Sequence, residues 1–184
     1  MSGLPSIETE RLWLREIEES DLDEWSDLIH GDPAVMTYMP ARDESPRDRA
    51  QRKFDFHAET WAEYGYGGWL VTSKDTRELM GDCYLEPEAG SGELELGYAL
   101  ARRYWGRGIS SEAANAVVRF AFERGGVDRL LGVVMPDNVG SWRVLEKVGF
   151  VFLREDHLYD LDVFVYSLEH GRFQPDGSFY QVHD

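Results

Sequence analysis

Arg103-Tyr104-Trp105-Gly106-Arg107-Gly108 runs directly into Ile109-Ser110-Ser111-Glu112-Ala113-Ala114, so two glycines one residue apart separate a strand-like run (94–100) from a helix-like run (110–124). Glycine turns tightly and lets a ligand approach the backbone, because it has no Cβ. The helix behind it offers unpaired N–H groups and the positive end of its dipole. A strand, a Gly-x-Gly turn and a helix mouth together form a main-chain cradle for phosphate. Gly106 and Gly108, with the main chain from Tyr104 through Trp105 and Arg107 to Ile109, are the candidate cradle. Arg103 and Arg107 are its candidate charge partners, with Arg103 preferred. Ser110 and Ser111 either donate to a phosphate or cap the helix. The loop lacks the third glycine of a dinucleotide fingerprint and the lysine of a P-loop, which argues against both of those nucleotide sites.

About thirty residues on, after another strand-like run, comes Asn138-Val139-Gly140-Ser141-Trp142-Arg143-Val144-Leu145-Glu146-Lys147-Val148-Gly149-Phe150. Asn138 is placed to cap this helix. Arg143 and Lys147, four apart, share a face. With the opening Glu8-Thr9-Glu10-Arg11-Leu12-Trp13-Leu14-Arg15 and the Arg-x-x-Gly-x-Gly loop backed by Glu112-Ala113, three segments in order cover about residues 7–168. On these residues the chain resembles the GNAT superfamily of acetyl-CoA-dependent N-acetyltransferases, and within it the RimJ/RimL-like branch that acetylates ribosomal proteins.

The resemblance implies an α+β GNAT fold: a mixed, mostly antiparallel sheet of about seven strands with a splayed parallel pair, flanked by about four helices. It implies acetyl-CoA as acetyl donor and a primary amine as acceptor, either a protein N-terminus or a small amine, with direct transfer in a ternary complex and a homodimer. The unpaired backbone of splayed strands would hold the amides of the pantetheine arm. Tyr98, Ala99 and Leu100 then join the cofactor site, the N–H groups near Ala99 and Leu100 facing the thioester carbonyl oxygen. Glu95, before Leu96-Gly97-Tyr98, matches the branch's strand glutamate and is the candidate general base, with Glu93 as fallback. Asn138 would bond the pantetheine arm as well as the helix. Arg143 either meets the adenosine 3′-phosphate, the preferred reading, or is an exposed charge beside Glu146.

The general acid departs from the commoner pattern, which carries a tyrosine seven residues after the asparagine; here that residue is Leu145. The RimJ/RimL-like branch carries serine three residues after it, and Ser141 is the candidate donor to the departing sulfur. Leu145 also supports an alternative, a CoA-binding sensor or scaffold without catalysis.

Composition narrows the field independently. The 184 residues suit one domain, and 42% hydrophobic with 13% aromatic content is globular. A formal net charge of −16 argues against non-specific nucleic-acid binding. It fits a heavily solvated surface, or acidic walls that attract a cationic amine. No apolar run has the length of a membrane span, and no signal peptide is visible in residues 1–10. The single cysteine, Cys83, precludes an internal disulfide and suits a reducing, cytoplasmic setting. In mid-strand it reads as a small buried apolar residue rather than an acyl carrier. The five histidines lack metal-ligand spacing, so no metal is expected.

The elements that must hold these groups read from periodicity and punctuation. An opening strand spans Leu12 to Ile17. One helix carries Leu22, Trp25, Leu28 and Ile29 on a face and stops at Gly31; a second starts at Ser45-Pro46 and ends at Gly65. The run 34–39 is ambiguous. A meander over 69–72, 79–85 and 94–100 turns at 74–75 and 88–92. The apolar run 129–135 reads as a buried strand parallel to 94–100, since a helical crossover joins them. Strands at 150–158 and 161–168 meet at a Tyr159-Asp160 turn, and the tail 170–184 reads as loop. The acceptor pocket is expected between residues 32–65 and the Tyr159 turn, with Tyr38, Trp61, Tyr64 and Tyr66 as candidate walls.

Overall fold

The computed structural model describes residues 3–88 and 91–184; Ala89 and Gly90 of the expected 88–92 turn lie outside the described residues. Among the described residues nine strands form one sheet: β1 (Ser6–Thr9), β2 (Leu12–Arg15), β3 (Gly68–Ser73), β4 (Leu79–Pro87), β5 (Leu94–Leu100), β6 (Arg129–Val134), β7 (Val151–Leu158), β8 (Leu161–Glu169) and β9 (Tyr180–His183). Their order is β7-β8-β6-β5-β4-β3-β2-β1-β9. Every neighbouring pair is antiparallel except β5 and β6. The expected α+β class and mixed sheet hold, with two strands beyond the seven expected. The tail supplies one: Tyr180 and Val182 pack on the core, and β9 pairs residue for residue with β1. Its glycine and proline punctuation masked a short edge strand.

Five α-helices among the described residues flank the sheet: α1 (Leu22–Trp25), α2 (Pro33–Met36), α3 (Pro46–Tyr64), α4 (Ile109–Glu123) and α5 (Val139–Val148). The first expected helix is a composite, in which α1 widens into a π turn over Ser26–His30. The ambiguous 34–39 run contains α2, capped by the Asp32 carboxylate on the Ala34 N–H at 2.9 Å. α3 begins and ends as its punctuation predicts, with Ser45 accepting from the Asp48 N–H and Gly65 left-handed at φ 74°. On α4, Ala113, Ala114, Val117, Val118 and Ala121 are buried, so small side chains let the helix lie close to the sheet.

The divergence of β5 from β6 positions everything that follows. The two share a single registered pair, Glu95 with Leu131. β6 is instead paired along its whole length with β8, and β5 along its whole length with β4. The Ala101 N–H bonds the Met80 carbonyl at 2.9 Å. Alternation from that bond turns the backbone of Ala99 toward β4 and that of Tyr98 and Leu100 toward the open gap. No helix among the described residues is long and apolar enough to cross a membrane, and no cluster of metal-ligating side chains forms among them.

Candidate active site

Two cavities, of about 640 and 630 Å³, flank the gap and meet there. Both are lined by Tyr38, Met39, Tyr98, Ala99, Asn138 and Ser141.

The second cavity runs to the mouth of α4. Tyr104, Trp105, Gly106, Gly108, Ile109, Ser110 and Ser111 line one side, and Asn138, Ser141, Arg143 and Lys147 the other. Gly106 and Gly108 are left-handed at φ 71° and 75°, a conformation that L side chains rarely adopt. Gly108 occupies the N-cap position of α4 but brings no side chain, so among the described residues the first-turn N–H groups have no side-chain cap. Those donors, the open glycine turn and two cations on α5 suit a diphosphate-bearing ligand. Arg143 and Lys147 make no ion pair among the described residues, and Arg143 sits 5.6 Å from the Trp142 ring.

The loop's arginines are placed differently. Arg103 does not line the cavity; it pairs with Glu78 at 2.7 Å and lies over the Tyr104 ring. Arg107 is exposed and outside the lining, and its carbonyl accepts from Arg11 Nη1 at 3.0 Å. Arg11 also pairs with Glu112 at 2.6 Å, and Glu112 accepts from the Thr9 hydroxyl at 2.7 Å. The Thr-Glu-Arg opening and the Glu112 behind the loop are therefore one latch, which holds the glycine turn against β1 and β2. Trp105 is half exposed, and its indole N–H donates to the Leu100 carbonyl at 2.7 Å.

On the far side of the gap, β4 and β5 present a polar ladder on one face. Opposed pairs Asp82–Ala99, Tyr84–Gly97 and Glu86–Glu95 alternate toward the first cavity. Gly97 is required here, since a Cβ would sit 2.2 Å from the Tyr84 ring that covers it. Glu95 is buried, and the Tyr159 hydroxyl donates to it at 3.0 Å. Burial, reinforced by Glu86 across the strands, pushes its carboxyl up to about 8. Tyr159 reaches it because the β7–β8 turn is tight, with Tyr159 and Asp160 both at positive φ. Glu93 lies before β5, outside the cavity, and is paired with Arg129.

Ser141 and Tyr98 bridge the two cavities. The Tyr98 hydroxyl donates to the Ser141 carbonyl at 2.8 Å, and the Ser141 hydroxyl donates to Tyr98 at 3.1 Å. Asn138 caps α5 by accepting from the Ser141 N–H at 3.3 Å. Leu145 is buried, and its methyls fill the space above Gly132. Cys83 is fully buried in β4, and desolvation pushes its thiol well up. Of the four candidate wall aromatics, Tyr38 lines the cavities. Trp61 packs edge-on against Trp69 in the core, and Tyr64 and Tyr66 stack on each other away from the site.

Sequence reasoning missed Asp82, whose carboxylate accepts from the Trp25 indole at 2.7 Å and is raised to about 6 by burial. A lone acid inside the apolar run 79–85 was the available signal. It also missed His30 and the basic set Arg42, Arg49, Arg52 and Lys53, all in the first cavity.

Comparison with known proteins places this architecture. Residues 11–151 match the family described as acetyltransferase (GNAT) domain. An uncharacterized N-acetyltransferase, p20, of Bacillus licheniformis is 31% identical over 182 residues, covering 90% of this chain and 96% of the relative. The crystal structure of an acetyltransferase from Agrobacterium tumefaciens str. C58 superposes with a TM-score of 0.80 at 27% identity, covering 92% of this chain and 96% of that one. Mycobacterium smegmatis RimJ in complex with CoA-disulfide shares the fold, with a TM-score of 0.75 at 17% identity over 89% of this chain and 87% of that one.

Proposed function

We propose, for a chain that belongs to the GNAT acetyltransferase family, that it transfers an acetyl group from acetyl-CoA to a primary amine, either a protein N-terminus or a small amine. The observation that carries this reading is the gap between β5 and β6. It joins an uncapped helix mouth on one side to a buried carboxyl on the other.

Acetyl-CoA supplies a thioester carbonyl for the amine to attack, releasing the CoA thiol. The first-turn amides of α4 and the Gly106–Gly108 turn bind the diphosphate, with Arg143 on the 3′-phosphate. Backbone of Tyr98 and the N–H of Leu100, whose carbonyl Trp105 occupies, order the pantetheine arm; with Ala99 turned to β4 rather than to the gap as expected, the Tyr98 N–H holds the carbonyl oxygen as it gains charge. Glu95 takes the ammonium proton, directly or through one water, and its elevated carboxyl matches an amine that must be neutral to attack. The Ser141 hydroxyl, 3.1 Å from that of Tyr98, turns to hydrogen-bond the departing thiolate sulfur. It meets the requirement that Leu145 cannot.

Release of free thiol from acetyl-CoA, measured over a panel of amines that includes short peptides with free N-termini, tests the reading. Turnover on an amine supports it. Tight CoA binding without turnover on any amine supports the alternative, a CoA-binding module without chemistry.

A further inference from the structure

The first cavity carries a charge pattern that the reaction does not use. The protein has 19 lysines and arginines against 35 acids, yet Arg42, Arg49, Arg52 and Lys53 all line this one cavity. Arg49, Arg52 and Lys53 fall at i, i+3 and i+4 on α3, which turns all three to the same side. We propose that the acceptor is a small amine that also carries an anionic group, a carboxylate or a phosphate, which these four cations bind while Glu95 receives the amine. The proposal rests on the acetyltransferase reading and extends it to substrate class.

Internal pairing does not consume the cluster. Glu44 alone serves two arginines, meeting Arg49 at 2.9 Å and Arg52 at 2.8 Å from outside the cavity lining. Glu44 thereby braces the guanidiniums and leaves an excess of positive charge. Lys53 faces Glu86 at 3.4 Å and lies 3.9 Å from the Tyr84 ring centroid. Arg42 is exposed and makes no ion pair among the described residues. A guanidinium carries five N–H donors in a planar fork, a match for carboxylate or phosphate oxygens.

A second observation comes from His30, which lines the same cavity. Both ring nitrogens of His30 are buried, and neither has a hydrogen-bond partner among the described residues. Both nitrogens are shut off from solvent, so the imidazole meets a ligand only when the ring turns toward the cavity. Burial, then Lys53, Arg49 and Arg52, hold His30 neutral, so it offers one donor and one acceptor. The cavity thus carries carboxyls at Asp82, Glu86 and Glu95, with Lys53 paired to Glu86, and guanidiniums at Arg42, Arg49 and Arg52, a pattern that suits a zwitterion. The carboxyls keep the expectation from net charge that acidic walls attract a cationic amine, and the arginines add a site for its anionic group.

Matched pairs of acceptors test the proposal: amino acids against their C-terminal amides, and amino-sugar phosphates against the free amino sugars. The anionic member of one pair is expected to show a kcat/KM higher by about 10-fold or more, carried by KM. Which pair responds separates carboxylate from phosphate. Arg42→Ala should shrink that ratio, and Arg42→Glu should erase or invert it; both change an exposed side chain, and a thermal melt checks their folding. Equal or better turnover of the neutral members, or a ratio that both variants leave intact, would overturn the proposal. If no amine turns over, the acetyltransferase reading fails, and calorimetric titration of the same pairs into the CoA-bound protein decides the anion question. Preferential binding of the anionic member, lost in Arg42→Glu, supports the proposal, and absence of preference overturns it.

Discussion

The two cavities that meet at the β5–β6 gap are built from different parts of the polypeptide. The helix-mouth cavity is walled largely by main chain: left-handed glycines, the uncapped first turn of α4 and the open edge of β5. The cavity beyond the gap is walled by side chains, with carboxyls on β4 and β5 and cations on α3 and the loop before it. A backbone site suits a ligand that never changes, because its donors come with the fold. A side-chain site can be rewritten residue by residue without moving a strand, so the ligand it takes can change while the fold does not.

Disrupting the backbone cavity should have the largest effect. Gly108→Trp forces an L residue into φ 75° and places an indole in the mouth. CoA affinity should fall by about 100-fold or more in calorimetry, and unchanged affinity would remove the cradle from that loop.

A change in the side-chain cavity should spare CoA and strike turnover. Glu95→Gln is expected to lower kcat by about 10²-fold or more with CoA affinity retained. In the wild type, kcat/KM should climb with pH through about 8, where Glu95 ionises, and the variant should lack that limb. The same group leaves a mark on stability. Its carboxyl is raised from 4.5 to about 8 on folding, so the folded state holds the proton more tightly. Stability from this group is full below about pH 4.5 and is lost as pH rises toward 8. The wild-type melting temperature should fall over that window more steeply than that of Glu95→Gln.

The boundary between the cavities should respond as a unit. Ser141→Ala and Tyr98→Phe each break the same hydroxyl pair, so each should lower kcat by about 10-fold and the double variant by little more. Additive losses would show that the two hydroxyls act separately. The smallest effect belongs to the latch behind the cradle. Arg11→Ala removes the bonds to Glu112 and the Arg107 carbonyl, and should weaken CoA binding by about 3- to 10-fold with little change in the acceptor KM.

The same contrast explains what was legible in the sequence. Gly106, Gly108, Asn138, Ser45 and Gly65 act through local backbone geometry, and local geometry is written in short spacings. The parallel relation of β5 and β6 followed from the crossover between them. Arg103 shows the limit of a motif: its spacing suggested phosphate, but Glu78, remote in sequence, lies 2.7 Å away and takes the guanidinium. The pairs that close the side-chain cavity were hidden for the same reason, although residues 32–65, Glu95 and the Tyr159 turn were expected there. Tyr159 meets Glu95 across 64 positions, and Trp25 meets Asp82 across 57. Such pairs exist only after the sheet assembles. β9 was missed because a four-residue edge strand is too short for its alternation to stand out from a glycine-punctuated tail.

A crystal structure of the protein with acetyl-CoA tests the central claim most directly. The diphosphate should lie on the amides of Ile109, Ser110 and Ser111, with the pantetheine arm between β5 and β6 and the acetyl group directed toward Glu95. A cofactor lodged elsewhere, with the α4 mouth and the strand gap empty, would contradict the account.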